Sequence, residues 1–296
     1  MTLPTFILAG APKAGSSAFW HYLRQHPEVY LPAEKEPFFF DFNFDKGVEW
    51  YADKFAGHRG ETAVGEATVW YMRWKEVPER MHSVLPDVKL IFLLRNPTDR
   101  AYSNFNHDYR DGRYPYDRTF SDLIRSEDRD DRGIVMAGFY DEHLDRFRRY
   151  YSDDQILVLL TDDLRTDRDD ALRRTFEFLG VDPTFRPEDT ERRNVSWWMS
   201  GLEALRAFDA IWRPVEHVTG WSPTKQLWRR SRHFRQLFWD RDTRPPPMLP
   251  QDRAFLDDLY RPHLERLAVQ IGRPLDEWGG RPAPEASGSP SPSPST

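Results

Sequence analysis

Three apolar runs, each followed by a polar loop and then a helical pattern, restrict what this chain can fold into. Thr5–Ala9 (TFILA) leads into a Gly/Pro/Lys loop. After that loop, Ser17–Arg24 places Phe19, Tyr22 and Leu23 at helical spacing and stops before Pro27. Val88–Leu94 (VKLIFLL) precedes the helical pattern Arg100–His107, and Gln155–Leu160 (QILVLL) precedes Arg168–Leu179, closed by Gly180. Short continuous apolar runs of this kind read as strands buried on both faces. Repeated strand–loop–helix units require a parallel sheet covered above and below, an α/β fold of three layers. In such folds ligands sit at the carboxyl ends of the strands, so the loops after these runs are where chemistry is expected.

Beyond about Pro183 the character changes. Ser200–Trp212, Lys225–Trp239 and Asp252–Ile271 read as helices rich in Trp and Arg, a helical C-terminal part split by Pro245–Pro247. Arg281–Thr296 (RPAPEASGSPSPSPST) has nothing apolar to bury and reads as a disordered tail, leaving one domain over residues 1–280. The net charge of −6 argues against a protein that coats nucleic acid. No apolar run approaches the roughly 20 residues of a membrane span, and Met1–Ala11 lacks the basic start of a signal peptide. With no cysteine there is no disulfide framework, thiolate metal site or cysteine nucleophile. A cytoplasmic location is the expectation, and oligomeric state is not written in the pattern.

The first loop is Gly10-Ala11-Pro12-Lys13-Ala14-Gly15-Ser16-Ser17. A glycine-rich turn between a buried strand and a helix start aims backbone N–H groups at an anion, with the helix dipole assisting. Lys13 adds a point charge, and Ser16 and Ser17 add hydroxyls. The competing reading is a tight turn with a serine cap. The order differs from a nucleoside-triphosphate P-loop, G-x-x-x-x-G-K-[ST], because Lys13 lies between the glycines and Ser16 takes the lysine's place. No acidic residue ends a strand to hold magnesium, since Val88–Leu94 runs into Arg95. The fold is thus expected to be P-loop-like, without a metal.

Arg95 ends the second run, and Ser103 lies two turns into the following helix. A guanidinium fork and a hydroxyl at that place suit a second phosphate. The alternative for Arg95 is a salt bridge to Asp99 or a neighbouring carboxylate. Two anion sites at neighbouring strand ends suit a nucleotide carrying phosphates at its 3′ and 5′ positions.

These motifs resemble those of sulfotransferases that use 3′-phosphoadenosine 5′-phosphosulfate (PAPS), of the type that includes the heparan sulfate enzymes and bacterial members. Pro12-Lys13-Ala14-Gly15-Ser16-Ser17 is similar to the family's 5′-phosphosulfate loop, and Arg95-Asn96-Pro97 with Arg100, Ala101, Tyr102 and Ser103 resembles its 3′-phosphate motif. Lys35-Glu36-Pro37-Phe38-Phe39-Phe40-Asp41 and Lys46-Gly47-Val48-Glu49-Trp50-Tyr51 resemble two further signatures, and Gly65-Glu66-Ala67-Thr68 matches the position of the E-x-[ST] stretch. The likeness runs over roughly residues 5–183, and Leu275-Asp276-Glu277-Trp278 resembles the ending of many bacterial members.

The resemblance implies sulfuryl transfer from PAPS to a hydroxyl or amine of a carbohydrate or small-molecule acceptor. Donor contacts would come from Lys13, Ala14, Gly15, Ser16, Ser17, Arg95 and Ser103. Lys13 would neutralise the leaving phosphate, and Glu66 would act as general base. An ion pair with an arginine is the other reading of Glu66. His107, one turn beyond Ser103 on the same helical face, reaches toward the acceptor or serves as a capping or core histidine. Lys35 is a candidate acceptor or sulfate contact, or an ordinary surface lysine. The departure is downstream. Where members carry a basic, glycine-containing loop, Glu191–Ser196 offers Arg192 and Arg193 without glycine, as 3′-phosphate contacts or as solvated charges.

Asp108–Arg132, dense in Asp, Arg and Tyr, reads as a loop over the cleft. Lys225–Trp239 is a basic amphipathic segment, suited to peripheral membrane contact, to lining an acidic-substrate site, or to packing on its own domain. Two other functions fit the first loop: a nucleotide or small-molecule kinase, and a non-catalytic nucleotide-binding module.

Overall fold

The computed structural model describes residues 1–111, 113–114, 118–126, 133–189, 198–199, 211–212, 214, 239–240 and 245–279. Five parallel strands form the central sheet: β1 (Phe6–Gly10), β2 (Val29–Tyr30), β3 (Ala63–Ala67), β4 (Lys89–Leu94) and β5 (Ile156–Leu160). Their spatial order is β2-β3-β1-β4-β5. The three inner strands are buried along nearly their whole length, as continuous apolar runs covered on both faces must be. Phe6 pairs with Gly65 on one side and Lys89 on the other, and Leu90 pairs with Ile156.

Nine helices of the described residues lie between and around these strands: α1 (Ser16–Leu23), α2 (Phe39–Phe42), α3 (Gly47–Asp53), α4 (Val77–Val84), α5 (Pro97–Arg110), α6 (Phe120–Arg125), α7 (Tyr140–Arg148), α8 (Thr161–Thr166) and α9 (Arg168–Leu179). A tenth, α10 (Pro250–Ile271), supplies the helical C-terminal part and packs on α5, α6 and α7. Among the described residues, the strands expected at 5–9, 88–94 and 155–160 and the helices expected at 17–24, 100–107, 168–179 and 252–271 are present with their ends moved by a few residues, whereas nearly all of the segments 200–212 and 225–239 lies outside the described residues. Helix α5 starts at Pro97 rather than Arg100 because Asn96 caps it, its Oδ1 accepting the N–H groups of Thr98 (3.0 Å) and Asp99 (3.2 Å). Gly180 ends α9 in the left-handed conformation at φ 79°.

Chain order and spatial order part company between β1 and β4. The connection after β1 runs toward β2, and the one after β4 runs toward β5 on the opposite side. The carboxyl ends of these two neighbouring strands therefore frame a crevice, the place where this architecture binds ligands.

The glycine in β3 is required by packing. A Cβ at Gly65 would lie 2.2 Å from the Phe6 ring of the paired strand. Gly65→Ala should overpack the sheet by about 1–3 kcal/mol, lowering Tm by several degrees at roughly 2–4 °C per kcal/mol. Thermal unfolding followed by circular dichroism checks this.

Candidate active site

The loop after β1 forms a concave turn. Lys13 (φ 66°) and Gly15 (φ 95°) both take the left-handed conformation, which turns successive peptide N–H groups toward one point. Helix α1 begins at Ser16 with Gly15 as N-cap and no side-chain cap; the Ala18 and Phe19 amides donate to the Gly15 carbonyl, which leaves those of Ser16 and Ser17 for another acceptor. The loop is fastened to its neighbours. Arg95 Nη1 donates to the Lys13 carbonyl (3.2 Å), and Thr161 Oγ1 lies 2.6 Å from the Ala14 carbonyl and 3.0 Å from that of Leu94. Thr161 was not among the residues singled out in the sequence, since it gains its role only by opening α8 at the end of β5.

Lys13 is half-buried, and its pKa is lowered to about 8, chiefly by desolvation and then by Arg110, with Asp108 and Asp111 opposing. The acids nearby are held elsewhere: Asp108 by Arg113 at 2.9 Å and Asp111 by the same guanidinium at 3.7 Å. A cation so placed suits an anion that arrives with its own charge. The sign of its pH dependence follows. Protonated Lys13 attracts a phosphate, and deprotonation removes that attraction. Affinity for adenosine 3′,5′-bisphosphate should be level below about pH 7 and fall as pH rises through about 8, by at most about tenfold per unit. Calorimetry across pH 6–9.5 on wild type and Lys13→Ala tests it, the variant losing this slope.

Arg95 does not pair with Asp99. That carboxylate is taken by Arg253 of α10 at 2.6 Å, and Asp257 accepts the Thr98 hydroxyl at 2.6 Å. Arg95 instead stays half-buried beside the first loop, with its own carbonyl accepting the Tyr140 hydroxyl at 2.8 Å. Ser103 is half-buried two turns into α5. Lys13, Ser16, Ser17, Arg95 and Ser103 thus lie at or just beyond the ends of β1 and β4, and they fit an anion at each side of the crevice.

Glu36 sits at the carboxyl end of β3, the strand next to β1. It is half-buried in the left-handed conformation at φ 61°, and its N–H donates to the Ala67 carbonyl at 3.2 Å. Burial raises its pKa, with Asp41 adding to the rise and Lys35, His107 and Lys13 pulling back. The carboxylate therefore feels both the cradle lysine and the helix α5 histidine. His107 is itself half-buried, with Nδ1 3.5 Å from Asp108 and 3.7 Å from Asp111. Lys35 is held below the usual lysine range by burial and lies 6.0 Å from the Trp20 ring.

Glu66, the residue expected as general base, is enclosed in the sheet. It is 1% exposed inside β3, and both carboxylate oxygens are engaged, Oε1 by the Tyr51 hydroxyl (2.9 Å) and Oε2 by the Thr68 hydroxyl (2.6 Å). Burial pushes its pKa up to about 7, against hydrogen bonds from Thr68, Tyr51 and Tyr71. A base must meet its substrate's proton at hydrogen-bond distance, and this carboxylate is enclosed by protein. Among the described residues no ion pair joins it to an arginine. The sequence held a signal for the alternative, a glutamate between Lys35 and Pro37 in a quoted signature, but local pattern attached no role to it.

Arg192, Arg193 and residues 225–238 of the basic segment lie outside the described residues, as does the tail 281–296. Among the described residues no three His, Asp or Glu side chains gather as a metal site, and no helix is long and apolar enough to cross a membrane.

Comparison with known proteins agrees with this geometry. The family model for the sulfotransferase domain matches residues 3–220. The chain belongs to the sulfotransferase family. Among its relatives, the bovine (Bos taurus) bifunctional heparan sulfate N-deacetylase/N-sulfotransferase 2 is 28% identical over 297 residues, covering 93% of this chain and 30% of the relative. The mouse (Mus musculus) heparan sulfate glucosamine 3-O-sulfotransferase 6 is 30% identical over 192 residues, 60% of this chain and 52% of the relative. This sulfotransferase chain therefore spans about a third to a half of the length of these curated relatives. The crystal structure of a sulfotransferase from Alicyclobacillus acidocaldarius aligns with a TM-score of 0.70 at 26% identity, covering 94% of this chain and 99% of that one. The three-layer parallel architecture is thus the sulfotransferase fold.

Proposed function

We propose that this sulfotransferase moves a sulfuryl group from PAPS to a hydroxyl or amine of a carbohydrate or small-molecule acceptor, with Glu36 as general base. The supporting observation is that Lys13 and Arg95 are joined at the carboxyl ends of β1 and β4, while the Glu36 turn is hydrogen-bonded to the carboxyl end of the adjacent strand β3. Heparan sulfate appears in the names of both curated relatives, which supports a sugar acceptor.

The residues fit such a donor. Lys13, the loop amides through Gly15 and the hydroxyls of Ser16 and Ser17 would hold the 5′-phosphosulfate, and Arg95 with Ser103 would hold the 3′-phosphate. When bound, the donor supplies an activated sulfuryl group on a phosphate leaving group. Lys13 stabilises the charge that gathers on the bridging oxygen, an electrostatic role performed without reorganisation because the loop is already fastened by Arg95 and Thr161. Glu36 accepts the acceptor's proton at its carboxylate, and its raised pKa makes it a better base than a solvated glutamate. His107, beside both Asp108 and Asp111, orients or charges the acceptor side. Positioning and electrostatics of this kind carry most of the catalysis in transfers of such groups.

The test is incubation with labelled PAPS against N-deacetylated heparan sulfate, simple sugars and phenols, with and without EDTA. Label in an acceptor supports the reading. ATP-dependent phosphorylation that EDTA abolishes would replace it with the kinase.

A further inference from the structure

Glu66 is a fully buried carboxylate to which the reaction above gives no proton. Its surroundings lead to the base. Tyr51 and Thr68 donate to its two oxygens at 2.9 and 2.6 Å. Tyr71 lies beside the same carboxylate and Thr68. The Tyr71 oxygen accepts two backbone N–H groups, from Phe39 at 2.8 Å and Phe40 at 3.3 Å.

Phe39 and Phe40 open α2 directly after the turn that carries Glu36. That turn holds two non-glycine residues in the left-handed region, Glu36 at φ 61° and Phe38 at φ 51°. Such conformations persist only where the surroundings over-determine them. Here the turn is gripped twice. The Ala67 carbonyl, next in sequence to Glu66, holds the Glu36 N–H at 3.2 Å, and Tyr71, beside Glu66, accepts the amides of Phe39 and Phe40. The rings reinforce the second grip, with Phe39 stacked on Tyr51 at 4.3 Å and 7°.

We propose that Glu66 is a positioning residue, acting through Tyr71 and Tyr51 to hold the Glu36 turn so that the base stays among Lys13, Lys35 and His107. This rests on the reading of Glu36 as the base. Glu66 touches neither donor nor acceptor, so its loss is felt in kcat and not in nucleotide affinity.

The experiment compares Tyr71→Phe, Glu66→Gln, Glu36→Gln and the double variant Glu36→Gln/Tyr71→Phe in the full chain. The probes are labelled PAPS with N-deacetylated heparan sulfate, adenosine 3′,5′-bisphosphate by calorimetry, and hydrogen exchange at the Phe39 and Phe40 amides, which needs no acceptor. Expected for Tyr71→Phe and Glu66→Gln are faster exchange at those two amides, a kcat about 10- to 100-fold lower and bisphosphate affinity within about twofold of wild type. Adding Tyr71→Phe to Glu36→Gln should cost nothing more, because the turn then positions no base. Unchanged protection of both amides, or a full further loss in the double variant, overturns the proposal. Should Glu66→Gln not fold, the nearly isosteric Tyr71→Phe decides alone. An active Glu36→Gln enzyme rejects the base itself, whereas an inactive one beside a fully active Tyr71→Phe rejects only the positioning role.

Discussion

Glu36→Gln lowers kcat about 10²- to 10⁴-fold while adenosine 3′,5′-bisphosphate binds within about twofold of wild type. The amide keeps the shape of the turn and its N–H contact to Ala67, so the change is confined to the lost proton acceptor. Glutamine also removes a negative charge that Lys13 feels across the crevice, which should tighten the bisphosphate slightly rather than weaken it. Steady-state kinetics paired with calorimetry separates these effects. A kcat within a few-fold of wild type would move the proton to another group, with His107 next in position.

Arg95→Ala should weaken adenosine 3′,5′-bisphosphate by roughly 10- to 1,000-fold, since each hydrogen bond to a charged group contributes about 1.5–3 kcal/mol and the fork supplies more than one. Removing the 3′-phosphate from the ligand takes away the same interaction from the other side. In a cycle of wild type and Arg95→Ala against the bisphosphate and adenosine 5′-monophosphate, the two losses should therefore not add. Arg95 is suited to this measurement because Asp99, its nearest acid in sequence, is already bound to Arg253. Equal affinity of wild type for both nucleotides would remove the 3′-phosphate from this pocket.

The parts of the fold legible in the sequence are those set by hydrophobic runs and punctuation. β1, β4 and β5 are uninterrupted apolar stretches, and Gly180 marks a helix end, whereas the start of α5 was read at Arg100 and the Asn96 cap moves it to Pro97. β3 was not legible, because Ala63-Val64-Gly65-Glu66-Ala67 puts a glycine and a charge where a buried strand wants bulk. Both exceptions have tertiary causes: Gly65 makes room for Phe6 and Glu66 receives hydroxyls from residues 51 and 68. The two-residue β2 is too short to carry a pattern at all. At the site, the loop residues and Arg95 stood out in the sequence because glycine, lysine and strand-end arginine suit anions locally, and the structure joins Arg95 to the Lys13 carbonyl. The proposed choice of Glu36 over Glu66 was not, since it turns on burial and both sit in charged or small-residue contexts that look alike in one dimension. The same holds for Thr161, which meets the first loop from 147 residues away.

The joint between the two cradles has a thermodynamic meaning. Arg95 rests on the carbonyl of Lys13, and one threonine hydroxyl spans the carbonyls of Ala14 and Leu94, so the ends of three strands share a single knot of bonds. An occupant of either cradle stiffens the backbone that shapes the other. By reciprocity, whatever one half of the nucleotide gains from the presence of its counterpart, the counterpart gains equally. Cut the ligand into pieces, inorganic phosphate on one side and a ribose 3-phosphate on the other, and the pieces should recruit each other without being covalently joined, a mutual attraction relayed wholly through main chain.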